Sequence, residues 1–176
     1  MSKNILLGVT GSIAAIKSAE LAFSLVQNKY SVKVILTQNA TRFISLQTFK
    51  SLSIDEVYFD EQPADNDMKH IKLSNWADIV LIAPATANTI AKIVGGFANN
   101  LLSTTVLALS QNKPRFIAPA MNTAMFENIA TQSNIEVLEQ RGFNIIQPVE
   151  ASLACGEIGI GAMASKDEII HKISLI

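Results

Sequence analysis

Few side chains in this sequence can do covalent or proton-transfer chemistry, and they stand in distinctive company. Cys155 is the single cysteine. It lies in Leu153-Ala154-Cys155-Gly156, with Gly159 and Gly161 close behind. Glycines at that density suit a mobile loop closing over a site, where a thiol can serve as acid or nucleophile. The plainer reading of a free cysteine is a small buried hydrophobe. His70 follows the polar stretch from Asp65 to Lys69, which reads as irregular backbone. A histidine beside a cleft can act as a general base near neutral pH, although lone histidines are more often structural. Pro119-Ala120-Met121-Asn122 reads as a tight exit from a strand. There the Asn122 amide can hold a carboxylate and Met125 can pack against an apolar ligand edge. Thr10-Gly11-Ser12 and the run Pro84 to Thr89, with Thr86, Asn88 and Thr89 in one turn, place hydroxyls at helix starts, where a phosphate is welcome. Each alone is also ordinary capping. GxGxxG, GxxxxGK[ST] and GxSxG are all absent, and two distant histidines with one cysteine give no metal-ligand spacing.

The elements that must position these residues are legible in the apolar pattern. Five short apolar runs stand at Ile5 to Val9, Val32 to Leu36, Ile79 to Ala83, Arg115 to Ala118 and Phe143 to Ile146. Helical spacing follows the first run, with Ile13, Ile16, Ala19, Leu21, Phe23 and Leu25 as the expected apolar face. It recurs over Arg42 to Leu52, Thr89 to Val94, Asn100 to Leu109, Ile129 to Arg141 and Lys166 to Ile173. Strands alternating with helices predict right-handed βαβ units and one doubly wound domain over residues 1–176, its parallel sheet covered on both faces. Such folds bind ligands at the carboxyl ends of their strands. All five runs end in small, hydrogen-bonding residues, which points to a shared cleft.

Bulk properties narrow the setting. A formal charge of −1 gives no pull toward nucleic acid or anionic membrane. Charged residues are 16% of the chain and hydrophobic ones 49%, against roughly 25% charged in an average soluble domain. The deficit of charge predicts an oligomer interface. Lys, Asp or Asn interrupts every apolar run before about 18 residues, so no membrane span is predicted. Met1-Ser2-Lys3-Asn4 leads into a core strand rather than a signal peptide, and the lone thiol fits a reducing compartment, so a cytoplasmic location is expected.

Taken together, the motifs resemble the homo-oligomeric flavin-containing cysteine decarboxylases. The resemblance runs from Gly8-Val9-Thr10-Gly11-Ser12-Ile13-Ala14 to Gly161-Ala162-Met163-Ala164. Its most specific marks are Pro119 to Met125, which is similar to that family's PxMNxxMW pattern, and the Leu153-Ala154-Cys155-Gly156 segment. Pro84 to Thr89, His70-Ile71 and Gly95 to Leu102 support it. The resemblance implies a flavodoxin-like, Rossmann-like three-layer α/β fold. It implies FMN held by Gly11, Ser12, Ile13, Thr37, Thr86, Ala87, Asn88 and Thr89, with Ala120 near the ring. It implies His70 as catalytic base, Asn122 as carboxylate clamp and Cys155 as the acid of a reducing step, with Met125 and Ala154 beside Asn122 on the substrate. The implied reaction is decarboxylation of 4'-phosphopantothenoylcysteine to 4'-phosphopantetheine in coenzyme A biosynthesis. The implied assembly is a homotrimer, or a dodecamer of trimers, with sites between subunits. A separate phosphopantothenate–cysteine ligase would supply the substrate. Phe126 stands where the family pattern has Trp, and Asn99 where Asp is common. Asn75 replaces a frequent Arg, which leaves a nearby lysine to meet the substrate phosphate.

The residue types make chemical sense. A cysteine carboxylate has no electron sink, so loss of CO2 would leave an unstabilised carbanion. Oxidation of the thiol-bearing carbon to a thioaldehyde creates the sink, and the ene-thiol left by CO2 loss must then be reduced. Within the resemblance, a peptidyl-cysteine decarboxylase of lantibiotic maturation stops at the ene-thiol, and Cys155 argues for the reducing enzyme. A flavin prenyltransferase is disfavoured by the Pro119 to Met125 segment. A non-enzymatic regulatory subunit is disfavoured by His70, Asn122 and Cys155 occurring together, and a flavodoxin-type electron carrier by the near-neutral charge.

Overall fold

A computed structural model describes residues 2–52, 54, 56–60, 68–154 and 156–176. Six strands, β1 (Asn4–Val9), β2 (Ser31–Thr37), β3 (Glu56–Asp60), β4 (Ile79–Ala85), β5 (Arg115–Pro119) and β6 (Phe143–Ile145), form one parallel sheet in the order β3-β2-β1-β4-β5-β6. β1 and β4 are nearly continuous apolar runs with buried side chains, as expected of central strands covered on both faces. One core cluster joins β1, β2 and β4 to the helices α1 (Ala15–Gln27), α2 (Leu46–Lys50) and α8 (Lys166–Ser174) on one side. The other joins the sheet to α3 (Lys69–Trp76), α4 (Ala87–Val94), α5 (Leu101–Leu107) and α7 (Ile129–Gln140). This is the expected doubly wound, three-layer arrangement. The short helix α6 (Thr123–Glu127) and an antiparallel hairpin, β7 (Val149–Ser152) with β8 (Ile158–Ala162), complete the elements. Among the described residues no helix is long and apolar enough to cross a membrane.

All five expected strands are present, but β3 and the β7/β8 hairpin were not anticipated. β3 reads Glu-Val-Tyr-Phe-Asp, a half-buried edge strand too polar to stand out. The face of α1 also differs from expectation. Ala15, Ser18, Leu21, Ala22 and Leu25 point inward at helical spacing, while Ile13, Ile16 and Phe23 are exposed. Ser18 tolerates burial because its hydroxyl donates to the Ala83 carbonyl at 2.8 Å. His70 lies in the first turn of α3, not in irregular backbone. That helix buries only Leu73 and Ser74 and starts at Met68 with left-handed φ and no side-chain cap. Both ordinary start signals are therefore missing from its sequence.

α1 likewise has no capping side chain at its N-cap Ala14, but most other helix starts follow the rules of capping. Thr86, Asn100, Asn122, Asn128 and Ser165 each accept a backbone N–H from the first turn of the helix they open. In a parallel sheet these starts sit at the carboxyl edge, so the caps and the ligand-facing residues are partly the same side chains.

Candidate functional site

The chain order reverses between β1 and β4, and ligands of such sheets bind at that point. One buried hydroxyl organises it. Thr10 Oγ1 donates to the Pro84 carbonyl at 2.7 Å and accepts the Thr86 N–H at 3.0 Å. It thereby ties the end of β1 to the start of α4. Thr10→Val keeps the shape and leaves the Pro84 carbonyl its bond from the Thr10 N–H, but it takes the acceptor from the Thr86 N–H in a buried place, at a cost of about 1–3 kcal/mol. The expected result is a melting point lower by about 3–10 °C in a thermal scan.

Above this junction opens a cavity of about 650 Å³ lined by strand-end residues, including Gly11, Ser12, Thr37, Thr86, Ala87, Asn88, Thr89, Ala120 and Met125. Its size suits a mononucleotide cofactor. Thr86 and Thr89 hydroxyls lie 3.1 Å apart at the start of α4, and the Ser12 hydroxyl accepts the Ala14 N–H at 3.2 Å before α1. These are the donors and helix starts that a phosphate requires. Gly11 has a packing reason as well: a Cβ there would collide with Asn39. Eight of the sequence-predicted residues thus line one cavity: Gly11, Ser12, Thr37, Thr86, Ala87, Asn88, Thr89 and Ala120. Met125, expected beside the substrate, lines it too.

A second cavity of about 460 Å³ shares Ser12, Ala120 and Met121 with the first. It is lined mostly by apolar groups, among them Ile13, Ile16, Leu153, Ala154 and Met163, together with Asn122 and Lys17. Ile13 therefore faces this second chamber rather than the first. Asn122 Oδ1 accepts the Ala124 N–H at 2.8 Å, which anchors the side chain. Its Nδ2 donates toward the Glu157 carboxylate at 3.5 Å, so the amide already addresses a carboxylate.

The hairpin closes over Met121 to Thr123. The Met121 N–H donates to the Gly161 carbonyl at 3.0 Å. A Cβ on Gly161 would meet the Met121 carbonyl, and one on Gly159 would meet Thr123. These glycines permit close packing of a strand, where the sequence suggested loop mobility. Cys155 lies outside the described residues, between Ala154 and Gly156. The Gly156 N–H donates to the Leu153 carbonyl at 2.9 Å.

His70 lines neither cavity of its own chain. Phe126, which stands where the family pattern has Trp, is partly buried against the second core cluster. Asn75 offers its carbonyl to Lys113 Nζ at 2.9 Å.

Sequence reasoning missed Asp60, Lys92, Asn99, Asn100, Leu102 and Ser103, which line the larger cavity. Asp60 is 6% exposed. Burial pushes its carboxyl up to about 6 from 3.8, against the Leu102 and Leu101 N–H groups and the Lys92 charge, which lower it. The folded chain therefore holds this proton more tightly than the unfolded one. That contribution is full below about pH 4 and is lost as pH rises through 6, on the order of 3 kcal/mol in all. The position of Asp60, level with Thr37 in the β2/β3 register, is visible only once β3 is known.

A doubly wound sheet with a mononucleotide-sized cavity at its switch point defines a nucleotide-cofactor-binding α/β protein. The family model described as Flavoprotein matches residues 1–175, and the chain belongs to that family. It is 47% identical over 175 residues to a probable phosphopantothenoylcysteine decarboxylase of Streptococcus mutans serotype c, covering 98% of each chain. It is 44% identical to the coenzyme A biosynthesis bifunctional protein CoaBC of Bacillus subtilis, covering 96% of this chain and 42% of that one. The chain thus spans under half of the bifunctional relatives. Among solved structures, it is similar to a cysteine-to-serine mutant of PPC decarboxylase complexed with pantothenoylaminoethenethiol. The TM-score is 0.90, with 33% identity over 99% of this chain and 98% of that one. The FMN-binding protein AtHal3 matches with TM-score 0.86 and 34% identity over 99% and 96% of the two chains.

Proposed function

We propose that this chain is an FMN-dependent phosphopantothenoylcysteine decarboxylase acting in the cytoplasm on the product of a phosphopantothenate–cysteine ligase. The observation that carries the reading is Asn122. Its anchored amide stands in an apolar chamber that opens into a polar, mononucleotide-sized one. Gly11, Ser12, Thr37, Thr86, Ala87, Asn88 and Thr89 would hold FMN, with Ala120 where the two chambers meet and Met125 beside the larger one. Bound there, FMN supplies the two-electron acceptor and then the donor that the reaction requires.

The chain's own groups do the rest. Asn122 Nδ2 holds the substrate carboxylate in the apolar chamber, where departure of CO2 is favoured by exclusion of water. His70 takes the thiol proton. Cys155 returns a proton to carbon in the reducing step, with Ala154 beside it against the substrate. Lys17 is the one cationic side chain among the described lining residues of the second chamber, and it meets the phosphate that Asn75 no longer reaches. The cysteine-to-serine relative holding an aminoethenethiol supports this order, since that species has lost CO2 but has not been reduced.

Because His70 lines neither cavity of its own chain, a neighbouring subunit completes the site in a homotrimer or a dodecamer of trimers. Ile71 on α3 and Leu107 on α5 are exposed apolar side chains on two helices that pack together, as a subunit interface requires.

Incubation of the purified protein with 4'-phosphopantothenoylcysteine is expected to give a product lighter by CO2 alone, and heat denaturation to release FMN. A product lighter by two further hydrogens would establish the peptidyl-type, ene-thiol-forming chemistry instead. Release of FAD, or no flavin binding, would remove the cofactor assignment.

A further inference from the structure

Asp60 is a buried carboxylate that the chemistry above does not use, and it sits where two walls of the larger cavity meet. It ends β3, at the edge of the sheet, and lines the cavity with Phe59. Its Oδ1 accepts the Leu102 N–H at 2.7 Å, and the Leu101 N–H lies within its field. The third amide of that turn, Ser103 N–H, goes to Asn100 Oδ1 at 2.9 Å. The free donors at the start of α5 are thus divided between a local cap, Asn100, and a distant one, Asp60. Only the distant one ties the helix to the sheet. Asn99, Asn100, Leu102 and Ser103 make the side of the cavity that this tie controls.

We infer that Asp60 is a positioning residue for the flavin cavity, holding the α5 wall in its binding geometry before the cofactor arrives. The inference rests on the flavin reading given above. What matters is a fixed hydrogen-bond acceptor on the end of β3. Among the described residues, the charged group acting on Asp60 is Lys92 of α4, while α5 itself carries no ionisable side chain. A second acceptor of the same shape, without charge, therefore serves the same purpose. Burial of the carboxylate at a cost in ionisation also fits a place where geometry matters more than charge.

FMN binding to the apo protein, followed by quenching of flavin fluorescence, tests this. The wild type must first bind FMN; if it does not, the cofactor reading itself has failed. Given wild-type binding, Asp60→Ala is expected to weaken FMN at least tenfold, and Asp60→Asn, which keeps the acceptor, less than threefold. Unchanged affinity in the Ala variant, even with a lower melting point, would reduce Asp60 to a structural cap and overturn the inference. Equal losses in the Asn and Ala variants would overturn it too, because charge would then be the property that counts. Should Asp60→Ala not fold, hydrogen exchange in the wild type decides. Amides of Leu101 and Leu102 protected before FMN is added support a preformed wall, and protection appearing only with FMN refutes it.

Discussion

His70→Asn is expected to stop turnover, by about 10²–10⁴-fold, while the chain still folds and still takes up flavin. The residue sits in the first turn of α3, half-buried, outside both cavities of its own chain. Its loss removes little from the core, so the melting point should hardly move. Asn122→Ala, in the second chamber, should be equally inactive because the proposed holder of the carboxylate is lost. These two failures differ in which subunit they damage. If each site takes His70 from one subunit and Asn122 from another, random reassociation of the two inactive proteins rebuilds intact sites at about a quarter of positions. Activity near a quarter of wild type after mixing, dissociation and refolding is the expected result. No recovery, or light scattering that reports a monomer at micromolar concentration, would place His70 and Asn122 in one chain. The shared-site reading would then be wrong.

Cys155→Ser separates the two halves of the reaction. In the proposed mechanism, taking the thiol proton and holding the carboxylate fall to His70 and Asn122, and neither step needs an acid. Return of a proton to carbon does require one. Serine nearly matches cysteine in shape, but its hydroxyl is a far weaker acid than a thiol with pKa about 8.5. The variant should release CO2 once per bound flavin and then stop, its visible absorbance bleached until air is admitted. Mass spectrometry should find a product two hydrogens lighter than that of the wild type. Normal turnover to the saturated product would remove Cys155 from the mechanism. Loss of CO2 release would move the cysteine to an earlier step.

Some of this protein was determined by local sequence alone. β1 and β4 are apolar runs that only a sheet covered on both faces can bury, and the strand–helix alternation leaves few topologies open. The caps Thr86, Asn100 and Asn122 are readable because a helix start needs an acceptor wherever it lies in space. Since the carboxyl ends of parallel strands converge, the small polar residues after each run were recognisable as one cavity lining, and eight of those predicted do line it.

Other features are properties of packing between distant segments. α3 carries no cap and buries only two residues of its own, so its helicity comes from its place between β3 and β4 and against α5. The inward face of α1 was misread because Ile13 and Ile16 look like core yet serve a cavity wall, while Ser18 looks polar yet finds the Ala83 carbonyl. Gly159 and Gly161 resemble loop residues until Thr123 and Met121 are seen pressed against them. Asp60 belongs to the same class. Its neighbours in sequence are a polar edge strand, whereas its burial, its raised carboxyl and its hold on α5 all come from a segment some forty residues away. Local sequence records what a residue can donate or accept; only the fold decides which partner is within reach.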